Sequence, residues 1–280
     1  MDITKSSFDK RQSVQKNYDL IAEQYSNEFG TYIEDLDVYE KFEQHLVENA
    51  KILDLGAGSG RTYSYFNKQN YEYIGLDFSK RMKDCAYNLH GKFPYIVDDM
   101  VNVKRYFSNN SLDAVFAVYS LFHLPNNDFN NLFSDVHDIL KVNGLFLFTY
   151  QIGQGEDIAD EPYLNEKGKN HLYMCYHTDE EINDLLHSFS YTELFKKQKI
   201  EMSPSAINSN SVTTVFILAK KIKWSYWDWG THNRICAGVQ IQCWLDKNIT
   251  HKLRKIKRGL NYFDNFFLFF EDYLYKNISI

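Results

Sequence analysis

Three glycines at alternate positions, Gly56, Gly58 and Gly60, follow closely on Asp54, which lies within the apolar run 52–55. Glycine tolerates positive φ and lets a ligand approach the backbone closely, so this pattern predicts a β-strand that turns sharply into a helix. The first N–H groups of such a helix have no partner within it and are available to a ligand. An acidic residue at the end of the strand suits a ligand with a cationic group.

The spacing of the glycines argues against a dinucleotide site. A dinucleotide-binding turn reads G-x-G-x-x-G, with an acidic residue about 20 positions later. Here Gly60 comes one position early, and Arg61 stands where the third glycine of that motif would be. A glycine-rich turn in some other kind of α/β protein remains the alternative interpretation.

Apolar runs alternate with helical patterns along the chain and would position these residues. We predict strands at 51–55, 71–77, 93–97, 112–118, 145–149, 191–200 and 212–220. We predict helices at 62–68, 79–89, 128–140 and 178–189, with Asn143-Gly144 closing the third of them. Residues 150–177 are interpreted as an irregular polar segment. The alternation predicts an α/β fold with a doubly wound, mostly parallel sheet.

Acidic side chains stand at the ends of the first three predicted strands. Asp54 and Asp77 lie at the ends of the first two strands, and Asp98 and Asp99 follow the third. Ligands of doubly wound sheets bind beyond the carboxyl ends of the strands. We therefore expect these four carboxylates to face one crevice.

Length, charge and cysteine content limit the class of protein. The chain has 280 residues, a net charge of −6, 21 Tyr and 21 Phe. This composition is typical of a folded chain, and the length suits one large domain or one domain with an appendage. The acidic charge gives no general reason to expect nucleic acid. The four cysteines form no CxxC pair, which argues against a zinc site and favours a reducing compartment.

Neither end of the chain predicts a membrane segment. Residues 1–12 contain no apolar stretch typical of a signal peptide. The most apolar part of the tail, Phe266 to Phe270, is far too short to span a bilayer. We therefore expect a cytoplasmic protein without membrane insertion.

Residues 221–280 differ from the rest of the chain in composition. They carry ten Lys and Arg against five Asp and Glu, with a Trp cluster at 224–229 and a Phe cluster at 263–270. We expect this aromatic, basic extension to pack on the acidic core or to form a homodimer contact. A nucleic-acid arm and a membrane-surface segment are the alternatives.

Seven motifs in order over residues 18–220 resemble the small-molecule branch of the class I S-adenosylmethionine (SAM)-dependent methyltransferases. They are Tyr18-Asp19-x-x-Ala22-x-x-Tyr25, ILDLGAGSG, YIGLDFSKRM, VDDM, LDAVFAVYSLFHLP, LKVNGLFLF and HTDEEINDLL. The resemblance implies a Rossmann-like methyltransferase fold with seven strands, the last antiparallel. It divides the chain into an N-terminal helical cap (1–48), a SAM-binding core (49–220) with an acceptor-site insertion (150–177), and the C-terminal extension.

The same resemblance implies SAM as cofactor, S-adenosylhomocysteine (SAH) as product, and no metal. Asp54 would engage the ammonium group of SAM. Asp77 would accept both ribose hydroxyls, with a solvated strand end as the alternative. Asp99 would accept the exocyclic amine of adenine, with Asp98 as its rival. The other implied cofactor contacts are Gly56, Ala57, Gly58 and Gly60 beside the methionine portion, Phe78 and Met100 beside adenine, and Tyr25, Met82 and Tyr119.

Catalysis by such a site requires an acceptor held in line with the methyl group and shielded from water. A hydroxyl acceptor also needs a base, and an amine must arrive unprotonated. His123, five residues beyond the fourth strand, is the candidate base, and a purely structural role in its loop is the alternative. Tyr18 is the second catalytic candidate, unless it is only a core aromatic.

The methyl acceptor would contact Tyr150, His171 and His177 in and beside the insertion, although both histidines also suit surface or packing roles. We predict transfer of a methyl group to an oxygen or nitrogen of a small metabolite. The alternative is an RNA methyltransferase that uses the basic aromatic extension to hold its substrate. The absence of an Asn/Asp-Pro-Pro-Tyr motif after the fourth strand favours the small molecule.

Overall fold

The structure is a computed structural model that describes residues 5–67, 70–160, 171–202 and 211–223. The chain divides into two units, Met1–Ser225 and Tyr226–Ile280, and the described residues all belong to the first. The predictions for the C-terminal extension concern residues that lie, apart from 221–223, outside the described residues, and they stay predictions.

The described residues form helices and strands that alternate along the chain. The helices are α1 (Ser7–Phe29), α2 (Leu36–Glu43), α3 (Arg61–Phe66), α4 (Lys80–His90), α5 (Asn126–Ile139) and α6 (Asp179–Ser188). The strands are β1 (Lys51–Leu55), β2 (Glu72–Asp77), β3 (Tyr95–Val97), β4 (Leu112–Ala117), β5 (Leu140–Gln151), β6 (Gly155–Asp160), β7 (His171–Tyr176), β8 (Tyr191–Met202) and β9 (Ser211–Lys221). Short 3₁₀ helices cover Met100–Arg105 and Leu121–His123.

Seven of the strands form one sheet in the order β3-β2-β1-β4-β5-β9-β8. The pairs from β3 to β5 are parallel, whereas β9 runs antiparallel to both β5 and β8. This is the predicted Rossmann-like methyltransferase fold, which is confirmed, including the antiparallel last strand. The order reverses at β1 and β4, so the crevice for a ligand opens beyond the carboxyl ends of these two strands.

The central strands form because their apolar residues are buried on both faces of the sheet. In β1, Leu53 and Leu55 pack in one hydrophobic cluster, while Ile52 packs in the other. Successive side chains of a strand point to opposite faces, which explains the continuous apolar run. The acid inside this run, Asp54, is therefore buried with its strand, at 2% exposure.

Helix α1 is tied to the rest of the fold by polar side chains that reach across long stretches of sequence. Ser6 caps its first turn by accepting a hydrogen bond from the Asp9 backbone N–H. Lys10 forms a 2.5 Å ion pair with Glu156, and the Gln15 amide donates to the carbonyl oxygen of Phe78. These contacts hold α1 against β6 and the residue after β2.

The structure corrects the expectation that residues 150–177 are irregular. Strand β5 continues to Gln151, and β6 and β7 form a separate antiparallel pair. The sequence hides β6 because three of its six residues are acidic, and only the pairing with the apolar strand β7 buries Ala159. Residues 161–170 lie outside the described residues.

Two element boundaries also differ from the prediction. Strand β3 begins at Tyr95, and not at Phe93, because Pro94 has no N–H to contribute to a ladder. Helix α5 ends at Ile139 rather than at Asn143-Gly144, because Leu140 already pairs with Leu112 in the sheet. Among the described residues, no helix combines the length and the apolar character needed to cross a membrane.

Candidate cofactor-binding and catalytic site

A cleft of about 630 Å³, counted together with the space that opens to solvent, lies beyond the carboxyl ends of β1, β2 and β4. Three residues of α1 form one wall, and the turns after the strands form the other. The lining residues are Arg11, Tyr18, Tyr25, Gly56, Gly58, Leu76, Asp77, Phe78, Met82, Asp99, Met100, Tyr119, Ser120, His123 and Leu124.

The glycine turn after β1 requires glycine at both positions that line the cleft. Gly56 has φ +80°, and a Cβ atom there would lie 2.4 Å from Cβ of Ser120. Gly58 has φ +51°, and no heavy atom would lie within 4 Å of an added Cβ. The open side of Gly58 therefore leaves room for a ligand against the backbone, while Gly56 permits the close approach of β4.

Asp77 places its carboxylate on the wall of the cleft at the end of β2. Oδ2 accepts a hydrogen bond of 3.0 Å from the Gly58 N–H, and Oδ1 accepts one of 2.8 Å from the Ser79 N–H. Burial raises the pKa of this carboxyl to about 6, although the two N–H groups act against the rise. Each oxygen has a second lone pair, so the group can still accept hydroxyl donors from a ligand.

Asp54 is not among the residues that line the cleft, although its sequence position suggested contact with an ammonium group, either directly or through water. The Tyr73 hydroxyl donates a 2.5 Å hydrogen bond to Oδ2 of Asp54, and both side chains are buried. Burial raises the pKa of Asp54 to about 7, with the Tyr73 hydrogen bond opposing the shift. The predicted contact between Asp54 and an ammonium group stays a prediction.

The substitution Asp54→Asn is expected to change how stability depends on pH. From about pH 4 to about pH 7 the folded wild type keeps the Asp54 proton and the unfolded chain has lost it. This group therefore lowers the free energy of unfolding by up to about 1.4 kcal/mol per pH unit as pH rises.

Asparagine removes this contribution, so the variant should gain stability relative to wild type across that range. Urea unfolding of both proteins at several pH values measures the difference. For the exposed control Asp84→Asn, the free energy of unfolding should differ from that of wild type by the same amount at every pH. If the same were true of Asp54→Asn, the raised pKa of Asp54 would be contradicted.

Of the two acids after β3, only Asp99 faces the cleft. Asp98 lies to the side, where its carboxylate accepts hydrogen bonds from Tyr106, Asn102 and the Asp99 N–H. Asp99 accepts a 2.7 Å hydrogen bond from Nε of Arg11. The geometry thus favours Asp99 over Asp98 as the residue that meets an adenine amine, although the role itself stays a prediction.

Sequence reasoning missed Arg11 as a residue of the cleft. Its guanidinium forms ion pairs with Asp99 and Asp128, 88 and 117 residues away. A signal was nevertheless available, because Arg11, Tyr18 and Tyr25 are spaced by seven residues and such spacing places side chains on one helix face.

Tyr18 and His123 form a hydrogen-bonded pair on the cleft wall. Nδ1 of His123 lies 2.9 Å from the carbonyl oxygen of Tyr173, which can only accept, so Nδ1 carries the proton. Nε2 is then the acceptor for the Tyr18 hydroxyl, 2.9 Å away. Burial lowers the pKa of His123 to about 4. The imidazole is therefore neutral near pH 7 and orients the Tyr18 hydroxyl.

Tyr119 lies directly beyond β4 with φ +59°, a conformation that is uncommon for a residue with a side chain. Its N–H donates a 2.7 Å hydrogen bond to Oγ1 of Thr149. Its hydroxyl lies 2.8 Å from a carboxylate oxygen of Asp35 and 3.0 Å from one of Glu201, and donates its one proton to either of them. These contacts fix the backbone of Tyr119 at the cleft despite the strain.

Tyr150 and His177, two of the residues predicted to contact the acceptor, are not among those that line the cleft. Tyr150 is buried and its hydroxyl donates to Asp179, and the ring of His177 stacks on Phe129 with centroids 4.1 Å apart. His171 opens β7, where it pairs with Asp160. Tyr150 and His177 are thus engaged in packing, and the predicted contacts of Tyr150, His171 and His177 with an acceptor stay predictions.

The structure also separates the remaining cofactor candidates. Nine of the predicted cofactor residues line the cleft, namely Tyr25, Gly56, Gly58, Asp77, Phe78, Met82, Asp99, Met100 and Tyr119. Four do not, namely Asp54, Ala57, Gly60 and Asp98. Ala57 and Gly60 still belong to the turn that shapes the cleft.

Comparison with known proteins agrees with this geometry. Residues 53–148 match the family described as a methyltransferase domain. A curated relative, the phosphoethanolamine N-methyltransferase of Plasmodium falciparum, is 27% identical over 155 residues, which are 54% of this chain and 57% of that protein. The match therefore spans little more than half of the relative's length.

Two solved structures have the same fold. A phosphoethanolamine N-methyltransferase 2 of Haemonchus contortus, bound to phosphomonomethylethanolamine and SAH, has a TM-score of 0.57 and 17% identity. That match covers 80% of this chain and 62% of the other. The 1,6-didemethyltoxoflavin-N1-methyltransferase of Burkholderia thailandensis, with bound 1,6-didemethyltoxoflavin and SAH, has a TM-score of 0.56 and 14% identity over 80% of this chain and 93% of that one.

The seven-stranded sheet, the glycine turn and the cleft beyond β1 and β4 define a Rossmann-like methyltransferase fold. Residues 53–148 match a methyltransferase domain, and the described residues share the fold of solved SAM-dependent methyltransferases.

Proposed function

We propose that the protein transfers the methyl group of SAM to a nitrogen or oxygen of a small metabolite, with nitrogen the more favoured acceptor. One observation carries the proposal. The Tyr18–His123 pair and the Asp77 carboxylate line the same cleft. A methyl acceptor that contacts Tyr18 and the ribose of a cofactor that contacts Asp77 would therefore bind in one cleft. The preference for nitrogen rests on the relatives, whose names describe N-methyltransferases.

The residues present fit SAM. The open side of Gly58 leaves space against the backbone, Asp77 is positioned to accept both ribose hydroxyls, and Asp99 to accept the adenine amine. Phe78 and Met100 supply apolar surface for the adenine ring. When bound, SAM supplies an activated methyl group on its sulfonium.

The chain's own residues would then align the acceptor and take up its proton, which would pass to the Tyr18 oxygen as the Tyr18 proton passes to Nε2 of His123. His123 accepts the Tyr18 hydroxyl proton in a hydrogen bond, which leaves the Tyr18 oxygen free to accept a hydrogen bond from an acceptor N–H or O–H. Tyr119, with its backbone at φ +59°, lines the part of the cleft where we expect the reacting sulfonium. Helix α1 covers this region and limits the access of water.

The direct test is a methyl-transfer assay with purified protein. SAM is incubated with a panel of small amines, including phosphoethanolamine and methylated derivatives, and with matched alcohols. Mass spectrometry then detects SAH and methylated product. Stoichiometric SAH and product with an amine support the proposal, whereas transfer only to RNA would establish the alternative. SAH formation without any small acceptor modified would contradict the proposal.

We expect SAH, and not NAD, to raise the melting temperature. The cleft offers carboxylates and an open glycine backbone, and Arg61 replaces the glycine that would let a pyrophosphate sit on the helix N-terminus. A ligand at 100 times its Kd adds about 2.7 kcal/mol to the free energy of unfolding, which corresponds to several degrees for a domain of this size. A thermal-shift assay with both ligands decides, and stabilisation by NAD alone would contradict the site assignment.

A further inference from the structure

Lys10 and Arg11 are both buried on α1, but only Arg11 lines the cleft. The ammonium group of Lys10 forms its 2.5 Å ion pair with Glu156 of β6 and lies 5.2 Å from the ring centroid of Tyr173 in β7. The side chain of Lys10 is 8% exposed, whereas that of Glu156 is 28% exposed. Lys10 therefore joins α1 to both strands of the β6–β7 pair.

Tyr173 connects this contact to the Tyr18–His123 pair. Its carbonyl oxygen accepts the hydrogen bond from Nδ1 of His123 at 2.9 Å. Its side chain is buried in a small hydrophobic cluster with Val14 of α1, and Tyr18 packs against the same cluster. One residue of β7 thus contacts His123 through its backbone and α1 through its ring.

The spacing along α1 brings Lys10 and Tyr18 to the same neighbouring strands. Lys10, Val14 and Tyr18 are four residues apart, so their side chains follow one another along one side of the helix. The β6–β7 pair is separate from the seven-stranded sheet, so the ladder of that sheet does not set its position against α1. The Lys10–Glu156 ion pair and the hydrophobic cluster set that position.

We propose that Lys10 and Glu156 are positioning residues for the Tyr18–His123 pair. By fixing α1 against β6 and β7 they hold the Tyr18 hydroxyl 2.9 Å from Nε2 of His123, a distance suited to proton transfer. Neither residue is among those that line the cleft. This inference rests on the proposed function, in which Tyr18 and His123 take up the proton of the acceptor.

The test measures steady-state methyl transfer by the full chain with the acceptor found in the transfer assay. Lys10→Met keeps the unbranched stem and removes the ammonium group, and Glu156→Gln removes the charge of its partner. A misplacement of about 1 Å can lower a rate about 100-fold, so we expect each variant to lower kcat about 10- to 100-fold. The Kd for SAH should stay within about twofold, because neither substitution removes a group that lines the cleft.

Two further variants of α1 serve as rescue and control. Lys10→Arg can form both the ion pair and the ring contact, so it should recover most of the wild-type kcat. Lys16→Met makes the same change as Lys10→Met at an exposed position of the same helix and should retain the wild-type kcat.

A double-mutant cycle with Tyr18→Phe distinguishes positioning from general support of the fold. If Lys10 acts through Tyr18, Lys10→Met should change kcat by no more than about twofold once the Tyr18 hydroxyl is gone. A full additional loss in the Tyr18→Phe background, or a wild-type kcat for Lys10→Met, would overturn the inference. If Lys10→Met does not fold, Glu156→Gln takes its place in the same cycle.

The outcomes separate this inference from the function on which it rests. If the wild type methylates a small acceptor and Tyr18→Phe lowers kcat while Lys10→Met does not, only this inference fails. A wild type that transfers no methyl group to any small molecule overturns the proposed function and this inference together.

Discussion

Replacement of Asp77 by alanine is expected to weaken the binding of SAM and SAH by at least about 100-fold. We assign this carboxylate to the two ribose hydroxyls, and each charge-assisted hydrogen bond contributes about 1.5–3 kcal/mol before water compensates. The group is already oriented by the Gly58 and Ser79 N–H groups, so little is lost in ordering it when the ligand binds. Calorimetric titration with SAH measures the effect.

The pH dependence of binding gives an independent check on Asp77. Burial raises its pKa to about 6, and the ionised form is the better acceptor for hydroxyl donors. Wild-type affinity for SAH should therefore fall as the pH decreases through about 6, and Asp77→Ala should lack this dependence. The control Asp84→Ala, at an exposed position on α4, should bind SAH as wild type does. An unchanged Kd for a folded Asp77→Ala would refute the ribose assignment.

The second large effect is expected at the Tyr18–His123 pair. Tyr18→Phe and His123→Ala should each lower kcat by roughly 100- to 10,000-fold, the range for general acid–base groups, with SAH affinity nearly unchanged. The reason is that either substitution removes the hydroxyl oriented toward the acceptor or the imidazole that orients it. Steady-state kinetics with the acceptor found in the transfer assay measure kcat. The exposed control Tyr32→Phe should retain wild-type rates.

Acid titration distinguishes this pair from an ordinary histidine base. Burial lowers the pKa of His123 to about 4, so the imidazole stays neutral through the range where exposed histidines become charged. The wild-type rate should therefore not fall as the pH decreases through 6.5. A fall near pH 6.5 that disappears in His123→Ala would indicate an ordinary histidine base. Full activity of Tyr18→Phe would show that the pair only holds α1 over the cleft.

The parts of the fold that sequence predicted best are those dictated by local patterns. The apolar run around Leu53 and the acids that end β1 and β2 follow from burial on both faces of a parallel sheet. Strand order then places Asp77 and the glycine turn at one crevice without knowledge of any contact. Nine of the thirteen predicted cofactor residues accordingly line the cleft.

The parts that sequence did not reveal depend on contacts between distant segments. The ion pair of Arg11 with Asp99 spans 88 residues, and the pairing of β6 with β7 depends on neighbours rather than on strand propensity. The same holds for His177, whose type suggested a ligand contact but whose ring packs on Phe129. Residue type restricts what a side chain can do, and only tertiary packing decides which group it meets.

Arg11, Tyr18 and Tyr25 are spaced by seven residues, so they lie on one face of α1, the face that lines the cleft. At 1.5 Å per residue the three positions span about 21 Å of the helix; Arg11 contacts Asp99, Tyr18 contacts His123, and Tyr25 lines the cleft further along. Deleting a single residue between Arg11 and Tyr18 would turn every later side chain by about 100° and carry Tyr25 away from the wall. The cleft wall thus depends on the number of residues between Arg11 and Tyr25. Substitutions on the outer face of α1 should affect the cleft much less.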